Sequence, residues 1–190
     1  FVARIWATRR VGHIIDEIDM HGRNEELINE LVALSKRFGI LTPYTSFLAD
    51  ENAPVQTAQA MEAAAYDQAS NLAKTTGESA NAQRSAKQAL LRSATVPTAP
   101  PSGGYADAEG KRYDGNNVRQ IAGRTFYYNK SRWLDAQVTE AQEASATEIK
   151  LYSDEYFELV RSQGKELNQY LALRGDITVL LDGKVYRFVE

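Results

Sequence analysis

Gly39-Ile40-Leu41-Thr42-Pro43-Tyr44-Thr45-Ser46-Phe47-Leu48 is the stretch on which the reading of the fold turns. It stops a helical segment at a glycine and opens an extended one. Upstream, in residues 1–20, Val2, Ile5, Trp6, Val11, Ile14, Ile15 and Ile18 recur near a 3.6-residue period, with Arg4, Arg9, Arg10, Asp16 and Glu17 mostly opposite. His21-Gly22 ends that helix. A second begins at Asn24, whose side chain suits an N-cap, with Glu25 and Glu26 where the helix dipole favours anions. Its apolar face is Leu27, Ile28, Leu31, Val32 and Leu34, and Gly39 suits the left-handed residue past its end. Ile40 to Leu48, rich in β-branched and aromatic residues, reads as a strand. Pro43 has no N–H to give a ladder, so that strand is expected at a sheet edge, or to begin at Pro43.

Beyond this stretch the chain changes character twice. Residues 53–94 are rich in Ala, Gln and Ser and predict helices over about Pro54–Thr75 and Ser79–Ser93, each with a thin apolar stripe. Residues 95–117 open with Thr95-Val96-Pro97-Thr98-Ala99-Pro100-Pro101-Ser102-Gly103-Gly104 and read as a flexible linker. Residues 118–190 predict a small α+β module. Hairpins are expected around Gly123 and at Asp182-Gly183, a further strand at Arg132–Asp135 and another at Glu148–Tyr152. Ser153 is read as the cap of a helix, and Glu166–Ala172 as a further short one. The expected architecture is therefore α+β: a mainly helical region at 1–94 with one edge strand, the linker, then the module at 118–190.

Composition narrows the function classes. At 190 residues, 43% hydrophobic and 25% charged, the chain matches an ordinary globular protein of one or two domains. Its net charge is −3 and its largest basic cluster is Arg9-Arg10, too little to neutralise a run of phosphates, so nucleic acid is not an expected partner. No apolar run approaches the ~20 residues that span a bilayer. There is no cysteine, hence neither a disulfide framework nor a thiolate metal site.

Catalysis requires converging acid, base, nucleophile or metal groups, and no such motif appears. His13, Asp16, Glu17 and His21 share one helical stretch, but their spacing fits no established ligand pattern. Ser102-Gly103-Gly104 follows two prolines rather than a strand, unlike a phosphate loop. The aromatics of the C-terminal module, among them Phe126, Tyr127, Tyr128, Trp133, Tyr156 and Phe188, are assigned to its core, because so small a module needs them there. Neither an enzymatic activity nor a cofactor is expected.

A family resemblance completes the reading. Phe1-Val2-Ala3-Arg4-Ile5-Trp6-Ala7, Arg10-Val11-Gly12 and Asp16-Glu17-Ile18 resemble the helix that follows the von Willebrand factor A domain in inter-alpha-trypsin inhibitor heavy-chain-like proteins. Glu26-Leu27 through Leu34 to Ile40, and then Thr42-Pro43-Tyr44-Thr45-Ser46-Phe47-Leu48, resemble its continuation, up to that family's Thr-Pro-x-Thr-Ser signature. Arg124-Thr125-Phe126, Ser153-Asp154-x-Tyr156-Phe157 and Tyr170-Leu171-Ala172-Leu173 are similar to segments of the bacterial members. The resemblance implies an exported protein, periplasmic, secreted or at the cell surface, with a VIT domain and an A domain upstream. It implies protein binding or adhesion. The family's metal-ion-dependent site needs Asp-x-Ser-x-Ser, which does not occur here, so no metal ligand is carried over. The residues expected to dock against upstream domains or partner proteins are Ile5, Trp6, Ile14, Ile18, Pro43, Tyr44, Thr45 and Phe47. The alternative expectation is a self-assembling, pore-like oligomer built from the Ala-rich helices.

Overall fold

A computed structural model describes residues 2–51, 57–72, 105–106, 112–113 and 115–190. The second half of the Ala-rich region, the expected helix at Ser79–Ser93, and residues 95–104 of the expected linker lie outside the described residues.

The helical region comprises α1 (Val2–His21), α2 (Glu25–Phe38) and α3 (Ala58–Leu72). The Asn24 side chain accepts from the N–H groups of Glu26 and Leu27, and Gly39 adopts φ 62°, ψ 37°, returning its N–H to the Ser35 carbonyl. Both ends of α2 are thus closed by the residues that local chemistry favours there. Val11, Ile14, Ile15 and Ile18 of α1 meet Ile28, Leu31 and Val32 of α2 in one core, and Met61, Ala65, Ala69 and Leu72 of α3 complete it.

The expected strand at Ile40–Leu48 is not formed. Thr42 to Thr45 make a turn closed by Thr45 N–H to the Thr42 carbonyl at 3.0 Å, and Ser46–Ala49 is a 3-10 turn. The reason lies in the hydroxyls. The Thr45 hydroxyl accepts from the Thr42 N–H at 3.2 Å, the Thr42 hydroxyl accepts from the Tyr44 N–H at 3.2 Å, and the two hydroxyls bond at 2.9 Å. Such local bonds offer the backbone an alternative to a ladder, and Pro43 pre-sets the turn while donating nothing.

The C-terminal module is the expected α+β unit. A two-stranded ladder, β1 (Tyr105–Ala106) with β2 (Arg112–Tyr113), leads by a 3-10 turn into a six-stranded mixed sheet. Its strands are β3 (Val118–Ile121), β4 (Arg124–Asn129), β5 (Arg132–Asp135), β6 (Thr147–Lys150), β7 (Asp176–Leu181) and β8 (Lys184–Val189), in the order β3-β4-β5-β7-β8-β6. Asp182 and Gly183 turn the last hairpin with φ 47° and 79°, the paired positive values of the tight hairpin turn that matches strand twist. Between β5 and β6 lies α4 (Glu140–Ala144), and between β6 and β7 lies α5 (Asp154–Tyr170), which Gly164, at the non-helical φ 66°, ψ −142°, divides into two helical pieces, as the two helices expected there require. Ser153 caps α5 as expected, accepting from the Tyr156 N–H.

One sheet face packs Phe126, Trp133, Ile149, Ile177, Val179, Leu181 and Phe188 under Leu167 and Tyr170 of α5. The opposite face carries Leu134, Val138 and Val185, and at its β4 end Thr125 and Tyr127 reach α2.

Candidate docking surface

Helix α1 is apolar on two sides at its first turns. At about 100° per residue, Ala7, Val11, Ile14, Ile15 and Ile18 share one side, while Val2, Trp6 and His13 fall roughly opposite, with Ile5 and Arg9 beside them. The structure follows this division. The first set is buried, whereas Val2 is 79% and Trp6 57% exposed, and Ile5 is half-buried. Val2, Ile5, Trp6, Arg9, Arg10 and His13 line a shallow depression of about 330 Å³. The exposed tryptophan and valine leave apolar surface open to water on this side of the helix.

The electrostatics beside it are settled within the chain. Arg10 grips Glu30 of α2 through two bonds, Nε at 2.8 Å and Nη2 at 2.6 Å. Bonding to Arg10 holds the Glu30 carboxyl below its ordinary range, and Glu30 in turn raises the Arg10 guanidinium. Arg4 gives its Nε–H to the Phe38 carbonyl at 3.1 Å. Arg9 and His13 are exposed on the Trp6 side.

The other expected docking residues are placed differently. Ile14, Ile18, Tyr44 and Thr45 are buried in the chain's own core. The Tyr44 hydroxyl donates to Asp19 at 2.9 Å, and burial, reinforced by that carboxylate, pushes its ionisation well above the usual tyrosine range. Pro43 and Phe47 are half-buried. Ile5 and Trp6 alone belong to the α1 depression. The period of α1 separates them from Ile14 and Ile18, a distinction lost when all its apolar residues are read as one stripe. Val2 belongs to the surface by the same arithmetic.

The Thr-Pro-Tyr-Thr-Ser turn stands instead at a seam between the two regions. Every one of the last four carbonyls of α2 is answered. Tyr127 donates to Ser35 at 3.2 Å and to Lys36 at 2.9 Å, Thr125 to Arg37 at 2.7 Å, and Gln120 to Phe38 at 3.2 Å. Burial raises the Tyr127 phenol far above its ordinary range, so it stays a donor. Past the turn, Asn117 donates to Ala49 at 3.1 Å, Asn129 to Asp50 at 3.4 Å, and the Lys130 N–H to Glu51 at 2.9 Å. Leu41, Ala49 and Tyr113 supply the apolar part of the seam.

Among the described residues no three His, Cys, Asp or Glu side chains are grouped to hold a metal ion, and no helix is long and apolar enough to cross a membrane. His13 and His21 are both exposed on α1. The most buried charges, Asp135 with Arg124 at 2.9 Å and Glu143 with Arg132, are ion pairs inside the sheet module. Compared with protein-family models, with curated proteins and with solved structures, the chain matches none, so a functional reading must rest on its residues and their geometry.

Proposed function

We propose that this chain is a non-catalytic protein-docking region that seats a preceding von Willebrand A domain on the Val2–Ile5–Trp6 face of α1. The carrying observation is that Val2 and Trp6, at the first turns of α1 where a domain joined before Phe1 would emerge, are left exposed opposite the buried side of the helix. The resemblance of residues 1–48 to the segment that follows such a domain supports the same assignment, and with it an exported, adhesion-like role. Covering Val2 and Trp6 would remove from water two of the three large exposed apolar side chains of this helix, the third being Met20 near its other end, at about 25 cal/mol per Å² buried.

Trp6 is its own reporter once Trp133, buried in β5, is replaced. In a Trp133→Phe background, joining an A domain before Phe1 should shift Trp6 emission to the blue and protect it from acrylamide. Emission and quenching unchanged by the added domain would end this reading.

Self-assembly through the Ala-rich helices has less support. Met61, Ala65, Ala69 and Leu72 of α3 are spent within the chain against α1 and α2. A concentration-independent monomer in sedimentation would remove that alternative.

A further inference from the structure

A second surface carries unspent charge. Ala33, Lys36 and Arg37 of α2 and Ala136 and Gln137 after β5 line a depression of about 420 Å³ at the seam. Basic residues in the last turn of a helix ordinarily complement its carbonyl end. Here that role is already filled, because the four final carbonyls accept from Tyr127, Thr125, Gln120 and Arg4. The nearby carboxylate is taken as well: Asp135 is fully buried and accepts from Arg124 at 2.9 Å, from the Gln137 N–H at 2.9 Å and from the Leu180 N–H at 3.4 Å. Among the described residues neither the Lys36 ammonium nor the Gln137 side-chain amide has a hydrogen-bond or ion-pair partner, and Arg37 meets only the Phe38 ring, at 5.3 Å. Lys36 is half-buried, and an ammonium withdrawn from water without a counter-charge is unfavourable. Burial accordingly lowers its ionisation, with Asp135 only partly opposing.

We propose that this depression is an oxyanion site, in which Lys36 and Arg37 hold a carboxylate or phosphate group and the Gln137 amide donates a third hydrogen bond. The guanidinium can engage two oxygens at once while Lys36 supplies a point charge. The site is independent of the α1 docking face.

The test is an NMR titration of the isotope-labelled chain with sodium phosphate and, separately, sodium acetate, ionic strength being held with chloride. Signals of the Lys36 side chain and the Gln137 amide should move to saturation, and the Lys36 titration midpoint should rise as the anion binds. Binding should weaken above that midpoint, where the ammonium is lost. Lys36→Gln and Arg37→Gln should each weaken binding at least tenfold, while Lys36→Arg, which keeps the charge and any packing of the stem, should retain most of it. Saturation by phosphate alone identifies a phosphate group, and comparable saturation by both identifies a carboxylate-sized oxyanion. Shifts that stay linear with concentration, match those in chloride, or persist in the Lys36→Gln/Arg37→Gln double variant overturn the proposal.

Discussion

The helical region and the sheet module hold themselves together by different means. In the helical region the core is mostly Val, Ile, Leu, Met and Ala, with Tyr44 its one buried aromatic among the described residues, and its Arg10–Glu30 pair lies at the surface, with side chains 33% and 36% exposed. The sheet module builds its core on Phe126, Trp133, Tyr170 and Phe188 and encloses charge, with Asp135 wholly buried against Arg124. Non-directional burial suffices for the first, since ridges of aliphatic side chains tolerate small shifts. The second depends on directional bonds, because a buried carboxylate that loses a partner has no water to replace it. Between them, the seam is mostly hydrogen bonds from residues 117–130, in and beside β3 and β4, to carbonyls of the chain from Ser35 to Glu51.

Trp6 and Trp133 fall one in each region, so Trp133→Phe and Trp6→Phe variants report their unfolding separately. The largest effect is expected from Asp135→Ala, which takes the buried carboxylate from the half-buried Arg124 and from the N–H groups of Gln137 and Leu180, at a cost of about 3–5 kcal/mol. Urea denaturation followed at Trp133 measures it. The matching Glu30→Ala change in the helical region should cost less than about 1 kcal/mol, because that pair is solvent-screened. Similar losses for the two would erase the contrast between the regions.

Next comes Gly39→Ala. The residue needs φ 62°, and an added Cβ would stand 3.0 Å from Thr125 Cγ2 and 3.1 Å from Val118 Cγ1. Left-handed strain of about 1–2 kcal/mol and overpacking of about 1–3 kcal/mol act together at one point of the seam. Both tryptophan reporters should register the loss. A change confined to Trp6 would show that the seam does not couple the regions.

Of the two changes at the seam the smaller is Tyr127→Phe. It leaves the Ser35 carbonyl its bonds from Gly39 and Ile40 but takes from the Lys36 carbonyl the hydroxyl that donates to it across the seam, at about 1–2 kcal/mol. Coincident Trp6 and Trp133 transitions in the parent should draw apart in this variant. Transitions that remain coincident would assign the coupling to Leu41, Ala49 and Tyr113 instead.

Local chemistry was readable wherever one residue type dominates a conformation. Asn24, Gly39, Ser153 and Asp182-Gly183 stand where their side chains or lack of one predict. The helix α4 was missed although its signal was present: Thr139 and Gln142 form a reciprocal capping box three residues apart. Ile40–Leu48 was misread because composition favoured a strand, whereas the Thr42 and Thr45 hydroxyls had a nearer use in a turn. Of the expected docking residues, Ile5 and Trp6 lie on an exposed side that the helix period alone distinguishes from Ile14 and Ile18.

By itself, then, the sequence determined helices α1 to α3, the tight hairpins and the α+β order, because caps, turn residues and apolar periods act over a few residues. It also placed two apolar sides on the start of α1. Only the tertiary structure decided that β5 runs parallel to β7 and β6 to β8. It alone set Tyr127 and Thr125 against α2, across 88 to 92 residues of chain. Those pairings depend on which carbonyls and faces remain unsatisfied once each element has formed, and that is a property of the assembled chain rather than of any stretch within it.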